Sequence, residues 1–241
     1  MDINCDMGES YGRFRIGNDA SLMPHITSCN IACGFHGGDP LTIKQTVNLA
    51  RDHQVWIGAH PSFPDLQGFG RRKMEIGLAD FKALMQYQLY VLSGMAKAEG
   101  KTTLHHVKPH GALYHFLSQE KHYAIALMQI MQDWDDQLIL YGAAHTPLST
   151  WAAEMNVPFW AEAFMDRRYE ADGTLRARKY ADAVLTDPQE AVEQALQIIE
   201  EQKVRTQTGE WIDIEAQTLC IHGDNASAQS ILQLLQQSLH A

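Results

Sequence analysis

The chain has 241 residues, a formal net charge of −10 and 45% hydrophobic residues. This length fits one α/β domain with a sizeable core, and the acidic balance argues against a nucleic-acid-binding surface, which needs a basic face. No apolar run is long enough to cross a membrane, no secretory signal is visible, and the cysteine spacings match neither a zinc site nor a disulfide scaffold. We therefore expect a cytoplasmic protein with neither a nucleic-acid partner nor a membrane partner.

The predicted elements alternate between strand and helix along the whole chain. Strands are predicted at 3–6, 28–32, 55–59, 104–108, 138–141, 158–162 and 218–222. Helices are predicted at 39–53, 78–97, 119–131, 147–155, 187–201 and 226–239. Asp39-Pro40 and Asp187-Pro188 each combine a favoured N-cap with a proline in the first turn. About seven β/α units predict a parallel sheet or barrel that forms a single domain over residues 1–241.

Strand parity favours a barrel over an open sheet. Side chains two residues apart share a face of a strand, so Asn4 and Asp6 lie opposite the aliphatic Ile3. His106 and Lys108 form a similar polar pair in the fourth strand. An open doubly wound sheet would bury both faces of its central strands under helices and would tolerate these polar groups poorly. We therefore predict a distorted, TIM-like (β/α) barrel in which the polar set points inward or toward the mouth.

Polar clusters follow nearly every predicted strand. Because the loops after the strands of a barrel lie on one face, they gather distant residues into one pocket. The candidate catalytic residues are Asp6, His60, Lys108, His110, Glu162 and His222. The candidate substrate-binding residues are Asn4, Asn30, His36, Arg71, Arg72 and Asp224.

Each residue type suggests a role. Asp6 and His60 are expected to activate water or transfer protons, with His110, Glu162 and His222 completing the pocket. Lys108 and Arg72 are expected to stabilise negative charge. Asp39 and Asp187 are explained as helix caps, whereas Asp224 fits either a cap or the site. Cys5, Cys33 and Cys220 fit small buried hydrophobic residues.

A divalent metal is an alternative occupant of the same pocket. Asp6, His60 and His222 lie on separate strands, and three nitrogen or oxygen ligands with one open position suit a catalytic zinc. His106 and His110 are four residues apart, but Pro109 prevents the helix that would bring them together.

Six motifs give the chain a specific resemblance. They are NCDMGES (4–10), NIACGFHGGDP (30–40), GAHPSFPDLQGFGRR (58–72), HVKPHGALY (106–114), EAFMDRRY (162–169) and IHGDN (221–225). In this order they resemble the LamB/YcsF family, whose members form the A subunit of the bacterial ATP-dependent 5-oxoprolinase. The resemblance runs over residues 1–241 and implies a distorted (β/α) barrel similar to the glycoside hydrolase/deacetylase superfamily.

The resemblance also implies a reaction and its partners. The reaction is 5-oxo-L-proline + ATP + 2 H₂O → L-glutamate + ADP + phosphate, with 5-oxoproline as substrate, ATP as cofactor, and two further subunits, B and C. No phosphate-binding loop of the G-x-x-x-x-G-K-[ST] type is present, so ATP either uses a different kind of site here or is consumed by a partner. A homo-oligomer also remains open.

Two other functions compete with this interpretation. The first is a metal-dependent amide or acetyl hydrolase of the deacetylase type, which a divalent ion essential for activity would favour. The second is a scaffold or regulatory subunit without chemistry. The second is favoured if Asp6→Asn and His60→Ala leave the assembled complex fully active.

Overall fold

Within residues 1–100 and 103–239, which a computed structural model describes, seven parallel strands close into a barrel. In chain order the strands are β1 (Asp2–Met7), β2 (Ser28–Ala32), β3 (Trp56–His60), β4 (His106–Val107), β5 (Ile139–Ala143), β6 (Phe159–Phe164), β7 (Lys203–Arg205), β8 (Trp211–Asp213) and β9 (Thr218–Ile221). Strands β1 to β6 follow one another around the barrel, and β9 closes it between β6 and β1. Strands β7 and β8 form a separate antiparallel hairpin.

Helices follow most strands and pack outside them. In chain order they are α1 (Asp19–Leu22), α2 (Pro40–Asp52), α3 (Leu78–Ala98), α4 (Gly111–Leu117), α5 (Lys121–Trp134), α6 (Leu148–Glu154), α7 (Pro188–Glu201) and α8 (Ala228–Leu239), with a 3₁₀ turn at Met23–His25. The Asp39 carboxylate accepts hydrogen bonds from the first-turn amides of α2, and Asp187 does the same for α7. Both predicted caps are therefore confirmed.

The predicted barrel is confirmed, with boundary shifts and three omissions. Strand β4 is shorter than predicted, because only His106 and Val107 pair with both neighbouring strands. The sequence analysis missed α1, α4 and the β7–β8 hairpin. Helix α4 has only seven residues and begins at Gly111, so its pattern is too short to identify.

The inward-facing residues match the predicted parity. Neighbouring strands are aligned so that Asp6 pairs with Asn30, and Asn4 pairs with Cys220. At Gly58 in β3, a Cβ atom would lie 2.0 Å from Nε2 of His106. Glycine at this position therefore lets the His106 ring cross the narrow interior. Cys5, Cys33 and Cys220 are buried, as expected, and Cys29 is buried as well.

The helices and the longest connection of the fold give two further observations. In the parts of the chain that the structure covers, none of the helices has both the length and the apolar character needed to span a membrane. Residues 165–187, between β6 and α7, form a long irregular segment over the carboxyl end of the barrel.

The single domain predicted over residues 1–241 includes residues 101, 102, 240 and 241, which lie outside the described residues.

Candidate active site

A cavity of about 350 Å³ opens at the carboxyl ends of the strands. This is the end at which barrel enzymes place their active sites. Its lining comes from the carboxyl ends of β1, β3 and β6, from the loops after β3, β4 and β9, from α4, and from the irregular segment 165–187. The charged and polar lining residues are Asp6, His60, Arg71, Lys108, His110, Tyr114, His115, Arg167, Arg178 and His222.

Lys108 lies at the floor of the cavity and is only 3% exposed. Its ammonium group is 2.9 Å from Oδ1 of Asp6 and 2.8 Å from Oε1 of Glu162. It also donates to Oδ1 of Asn4 at 3.0 Å and lies 3.1 Å from Sγ of Cys220. An ammonium group has three protons, so these contacts use all of its donors.

The electrostatics of this group follow from its contacts. Burial alone would discharge Lys108, but the charges of Asp6 and Glu162 raise its pKa well above the ordinary value. Burial also opposes ionisation of Asp6, yet His60 and Lys108 lower the pKa of that carboxyl well below its ordinary value. Asp6 and Lys108 therefore form a buried charged pair. Burial raises the pKa of the Cys220 thiol well above its ordinary value, which argues against a thiolate nucleophile.

A layer of buried polar side chains supports Lys108 from below. Asn4 donates to Oε1 of Glu162 at 2.9 Å, and Tyr114 donates to Oε2 of the same carboxylate at 2.7 Å. Asn30 donates to Asp6 at 2.8 Å and receives a hydrogen bond from Nε2 of His106 at 2.6 Å. Both oxygens of Glu162 are thus engaged. The structure gives Asn4, Asn30 and Glu162 positions that hold Asp6 and Lys108 in place, beneath the cavity surface.

Asp166 and His222 form a proton-transfer pair that the sequence analysis did not identify. Asp166 is fully buried, and its carboxylate lies 2.9 Å from Nδ1 of His222. Burial opposes its ionisation, but His222 and Asn225 together lower the pKa of Asp166 below the ordinary value. The carboxylate fixes the proton of His222 on Nδ1, which leaves Nε2 as the nitrogen available at the cavity. This is the arrangement of an oriented general base.

Three arginines give the mouth of the cavity positive charge. Arg71 and Arg178 lie 2.8 Å and 3.7 Å from the carboxylate of Asp224. Arg167 is 6% exposed and donates to the backbone carbonyls of Ala183 and Arg176. Burial and the neighbouring Arg178 lower its pKa. Asp224 therefore acts as a partner of the arginines rather than as a cap, since α8 begins only at Ala228.

Arg72 has a different position from its neighbour in sequence. Its guanidinium donates to Oδ1 and Oδ2 of Asp65, each at 3.0 Å from Nε, and it lies outside the cavity. The expected role of Arg72 in stabilising substrate charge is therefore not supported by its position. Arg71, the adjacent residue, lines the cavity instead.

A cluster of three imidazole rings adjoins the cavity, which His60 and His110 line and His36 does not. The rings of His36 and His110 are stacked, with centroids 3.7 Å apart and an interplanar angle of 4°. Nδ1 of His110 lies 2.9 Å from Nε2 of His60, which is itself 3.3 Å from Asp6. Nε2 of His36 lies 3.1 Å from the buried carboxylate of Glu9. Burial, together with the charge of Asp6, raises the pKa of Glu9 to about 8.

The expected metal ligands are not brought together as one set. Within residues 1–100 and 103–239, two groups have ligand atoms that all lie within 4.8 Å of one another. One group is Glu9, His36, His60 and His110, and the other is Asp6, Cys220 and His222. The predicted trio of Asp6, His60 and His222 is therefore divided between the two.

The structure brings most predicted catalytic residues to one cavity and adds others. Asp6, His60, Lys108, His110 and His222 line it, as expected. Glu162, the remaining predicted catalytic residue, does not line it, and His106 is also held in the interior, stacked on Tyr141. The residues that the sequence analysis missed are Glu9, Tyr114, Asp166, Arg167 and Arg178. The first four occur inside the quoted motifs, which is the signal that could have identified them, whereas Arg178 lies outside every motif.

Fold and site together define the class of this protein. It is a closed parallel (β/α) barrel with a charged cavity at the carboxyl ends of its strands, an arrangement typical of enzymes. The sequence model of the LamB/YcsF family matches residues 1–241, and the chain belongs to that family.

Relatives of known name match nearly the whole chain. A protein of Staphylococcus haemolyticus, named as the A subunit of 5-oxoprolinase, is 45% identical over 99% of this chain and 95% of its own length. A protein of the same name from Limosilactobacillus fermentum is 46% identical over 100% of this chain and 96% of its own length.

Solved structures agree with the fold. The crystal structure of a lactam utilization protein from Thermus thermophilus matches with a TM-score of 0.91 and 40% identity, over 99% of this chain and 96% of that one. A family 4 carbohydrate esterase from Streptomyces lividans matches with a TM-score of 0.51 and 11% identity, over 100% of this chain and 87% of that one. The esterase likeness concerns the barrel alone and confirms the predicted similarity to deacetylase-type barrels.

Proposed function

We propose that this chain is the A subunit of an ATP-dependent 5-oxoprolinase, which opens the lactam ring of 5-oxo-L-proline to give L-glutamate. The observation that carries the proposal is the full-length match, at about 45% identity, to proteins of that name. The cavity supports it, since it combines an oriented imidazole with three arginines and its volume of about 350 Å³ suits a small anionic substrate.

The chemistry explains why such groups are needed. A lactam carbonyl is a poor electrophile because its nitrogen donates electron density into it. Transfer of the terminal phosphoryl group of ATP to the carbonyl oxygen releases ADP and activates the carbon for attack by water. The C–N bond then breaks, with the ring nitrogen taking a proton, and a second water hydrolyses the acyl phosphate to glutamate and phosphate. The site needs a general base, a general acid and cations for the phosphate and carboxylate charges.

The residues of the cavity divide between these roles. His222, oriented by Asp166, takes the proton of the attacking water at Nε2 and returns it to the ring nitrogen. Arg71, Arg167 and Arg178 bind the carboxylate or the phosphoryl group, because a guanidinium can engage either with two parallel hydrogen bonds. Lys108 acts as a positioning residue, since its donors are already used by Asp6, Glu162 and their neighbours.

The proposal includes ATP and two partner subunits, B and C. The name shared by the relatives describes one component of an assembly, which supports a multi-subunit enzyme. The absence of a phosphate-binding loop from the sequence leaves either this chain or a partner as the site of ATP consumption. The cytoplasmic location expected from the sequence stays a prediction.

An omission experiment tests the activity. The chain is mixed with the B and C subunits, ATP and 5-oxoproline, and each component is then left out in turn while glutamate and ADP are measured. We expect glutamate only in the complete mixture, and expect His222→Gln to assemble normally but form glutamate far more slowly. Glutamate formed as fast without this chain would overturn the proposal. Amide or ester hydrolysis by this chain alone, without ATP, would instead favour the rival hydrolase function.

A further inference from the structure

The outer face of helix α3 is apolar, although the chain carries a net charge of −10. Residues 83–96 of this helix contain no charged residue. Tyr87, Tyr90 and Val91 are exposed there, and Tyr87 is the most exposed of the three at 58%. The solvent-facing side of a surface helix is normally polar, and a contiguous exposed apolar patch marks a site of association. We call the exposed residues 83, 87, 90, 91 and 94 the α3 face.

Trp134, the last residue of α5, extends the α3 face. Its indole ring is exposed and stacks on the ring of Tyr90, with centroids 4.5 Å apart. Exposed aromatic side chains of this kind provide most of the binding energy when two protein surfaces dock. Helix α7 is different, because it places the charged residues Glu193 and Glu200 at exposed positions. The α3 face therefore has the composition of the core of an interface.

Gly94 gives the α3 face a hollow. It lies inside the helix, where glycine is less favourable than alanine, and a Cβ atom there would meet nothing within 4 Å. No contact within the described chain therefore explains a glycine at this position, whereas the close approach of a second helix would explain it. A groove of about 250 Å³ begins at Gly94, and its other lining residues are Ser93, Lys97, Thr103, Trp134 and Asp135.

The projecting Tyr87 and the hollow at Gly94 are placed symmetrically along the helix. Tyr87 lies three residues before Tyr90, and Gly94 lies three residues after Val91. When two copies of α3 pack antiparallel about a twofold axis between residues 90 and 91, Tyr87 of each copy falls opposite Gly94 of the other. A twofold axis produces the same contact twice, with the two partners exchanged. The α3 face is therefore complementary to itself in shape.

Opposite charges border the α3 face at its two ends. Asp80 lies in the first turn of α3 and Lys97 in the last turn, and both are exposed. Neither is in an ion pair with another described residue. In the antiparallel arrangement Lys97 of each copy falls opposite residue 84, one helical turn from Asp80 of the other copy. Two chains of charge −10 repel each other, so an uncharged face bordered by two such opposite pairs favours self-association over other contacts.

We propose that the α3 face is the docking surface for a second copy of this chain, packed antiparallel about a twofold axis between Tyr90 and Val91. The face fits a copy of itself both in shape and in charge, which is the reason for choosing this occupant over the B and C subunits. None of the residues of α3 lines the cavity, so the proposal does not depend on the proposed activity.

Sedimentation velocity and light scattering of the purified chain test the proposal. We expect the mass of two chains at micromolar concentration. Tyr87→Glu replaces the projecting ring with a charge and should weaken self-association by at least about 30-fold, the effect of losing a dominant aromatic contact. Trp211→Glu is the matched control, because Trp211 is a similarly exposed aromatic residue of the β7–β8 hairpin. This control should associate as the unmodified chain does.

Gly94→Leu separates docking from folding. In the single chain the new side chain meets open space and favours the helix more than glycine does, so the variant, diluted to single chains, should unfold at a higher temperature. The same side chain fills the hollow and should weaken self-association about 10-fold, as overpacking does. Thermal unfolding followed by circular dichroism and sedimentation measure the two effects. Self-association of Gly94→Leu at full strength would contradict the proposed packing.

A charge exchange identifies the occupant. Asp80→Lys and Lys97→Asp should each weaken self-association several-fold, and the double variant should restore it, because the opposite charges then face each other again across the axis. The proposal is overturned if the folded chain stays single at every concentration, or if Tyr87→Glu associates as the unmodified chain does. It is equally overturned if Tyr87→Glu loses co-purification with the B and C subunits but still self-associates, since another subunit would then occupy the face.

Discussion

At the amino-terminal end of the barrel, Asp2 lies among hydroxyl groups, whereas at the carboxyl end Asp6 lies against the ammonium of Lys108. Asp2 accepts hydrogen bonds from Thr27, from Ser28 at 2.9 Å and from Tyr141 at 3.1 Å, and also from Thr218. Trp56, His105 and Trp160 pack together near this end. Both carboxylates are buried, yet only Asp6 borders the cavity.

The comparison shows that a buried polar group does not by itself mark an active site. At the amino-terminal end, neutral hydroxyl donors satisfy the carboxylate of Asp2, which is a structural arrangement. At the carboxyl end, charges are paired across the barrel, while Nε2 of His222 and the arginines of the mouth face the open cavity. Unused hydrogen-bonding capacity, rather than polarity, distinguishes the functional end.

The largest expected effect comes from removing the buried ammonium. Lys108→Met leaves Asp6 and Glu162 as unpaired carboxylates, so the free energy of unfolding should fall by about 3–5 kcal/mol. Glutamate formation by the assembled enzyme should fall by about 100-fold, because the groups that Lys108 holds in place are displaced. Lys121→Met is the control, because its pair with Glu154 is exposed and worth less than about 1 kcal/mol. Urea titration measures the free energy of unfolding of both variants. An equal fall in the two variants would contradict the conclusion that Lys108 neutralises two buried carboxylates.

The second effect concerns the pair of Asp166 and His222. Asp166→Asn keeps the shape of the side chain but removes the charge that orients the imidazole, so kcat should fall by about 10²–10⁴-fold. Steady-state assays of the reconstituted complex measure this, and co-purification shows that assembly is intact. Asp65→Asn, which removes a charge outside the cavity, should leave kcat unchanged. A normal kcat in Asp166→Asn would show that His222 is not the base.

A smaller effect separates two adjacent arginines. Arg71→Ala removes a guanidinium from the cavity and should raise KM for 5-oxoproline by more than about 10-fold, since a hydrogen bond to a charged group contributes about 1.5–3 kcal/mol. Arg72→Ala breaks only the contact with Asp65 and should leave KM unaltered. Initial rates over a range of substrate concentrations measure both. A larger rise in KM for Arg72→Ala than for Arg71→Ala would instead support the sequence-based expectation that Arg72 stabilises negative charge.

The smallest effect is expected at the amino-terminal end of the barrel. Tyr141→Phe removes one of the hydroxyl donors to Asp2, so the free energy of unfolding should fall by about 0.5–1.5 kcal/mol. Because this hydroxyl lies away from the cavity, kcat should not change. Urea unfolding and the glutamate assay measure the two quantities. A loss of kcat comparable with that of Asp166→Asn would mean that the two ends are functionally coupled.

The sequence predicts well what depends on local pattern. The inward direction of Asp6 and Lys108 follows from the two-residue period of a strand, and the roles of Asp39 and Asp187 follow from the chemistry of helix caps. Both are properties of a few consecutive residues. The strand prediction holds in the folded protein because the parallel register aligns the inward-facing residues of neighbouring strands.

What the sequence does not predict depends on loops and distant pairs. Asp166 and His222 are 56 positions apart and meet because β6 pairs directly with β9, which skips the unpredicted hairpin. Arg71 and Arg72 are adjacent and chemically identical, so only the path of their loop decides which one reaches the cavity. Glu9 follows a strand at the point where its periodicity ends, and no local rule gives its direction.

The irregular segment between β6 and α7 has an evolutionary consequence. Arg167, Leu175 and Arg178 reach the cavity from this segment, whereas Lys108 and its partners belong to the barrel itself. Substitutions, insertions or deletions in residues 168–183 would therefore alter the entrance while the interior charge pairs stay intact. Substitutions there can change which anion binds at little cost in stability. Differences in substrate range among related barrels should therefore be concentrated in that stretch.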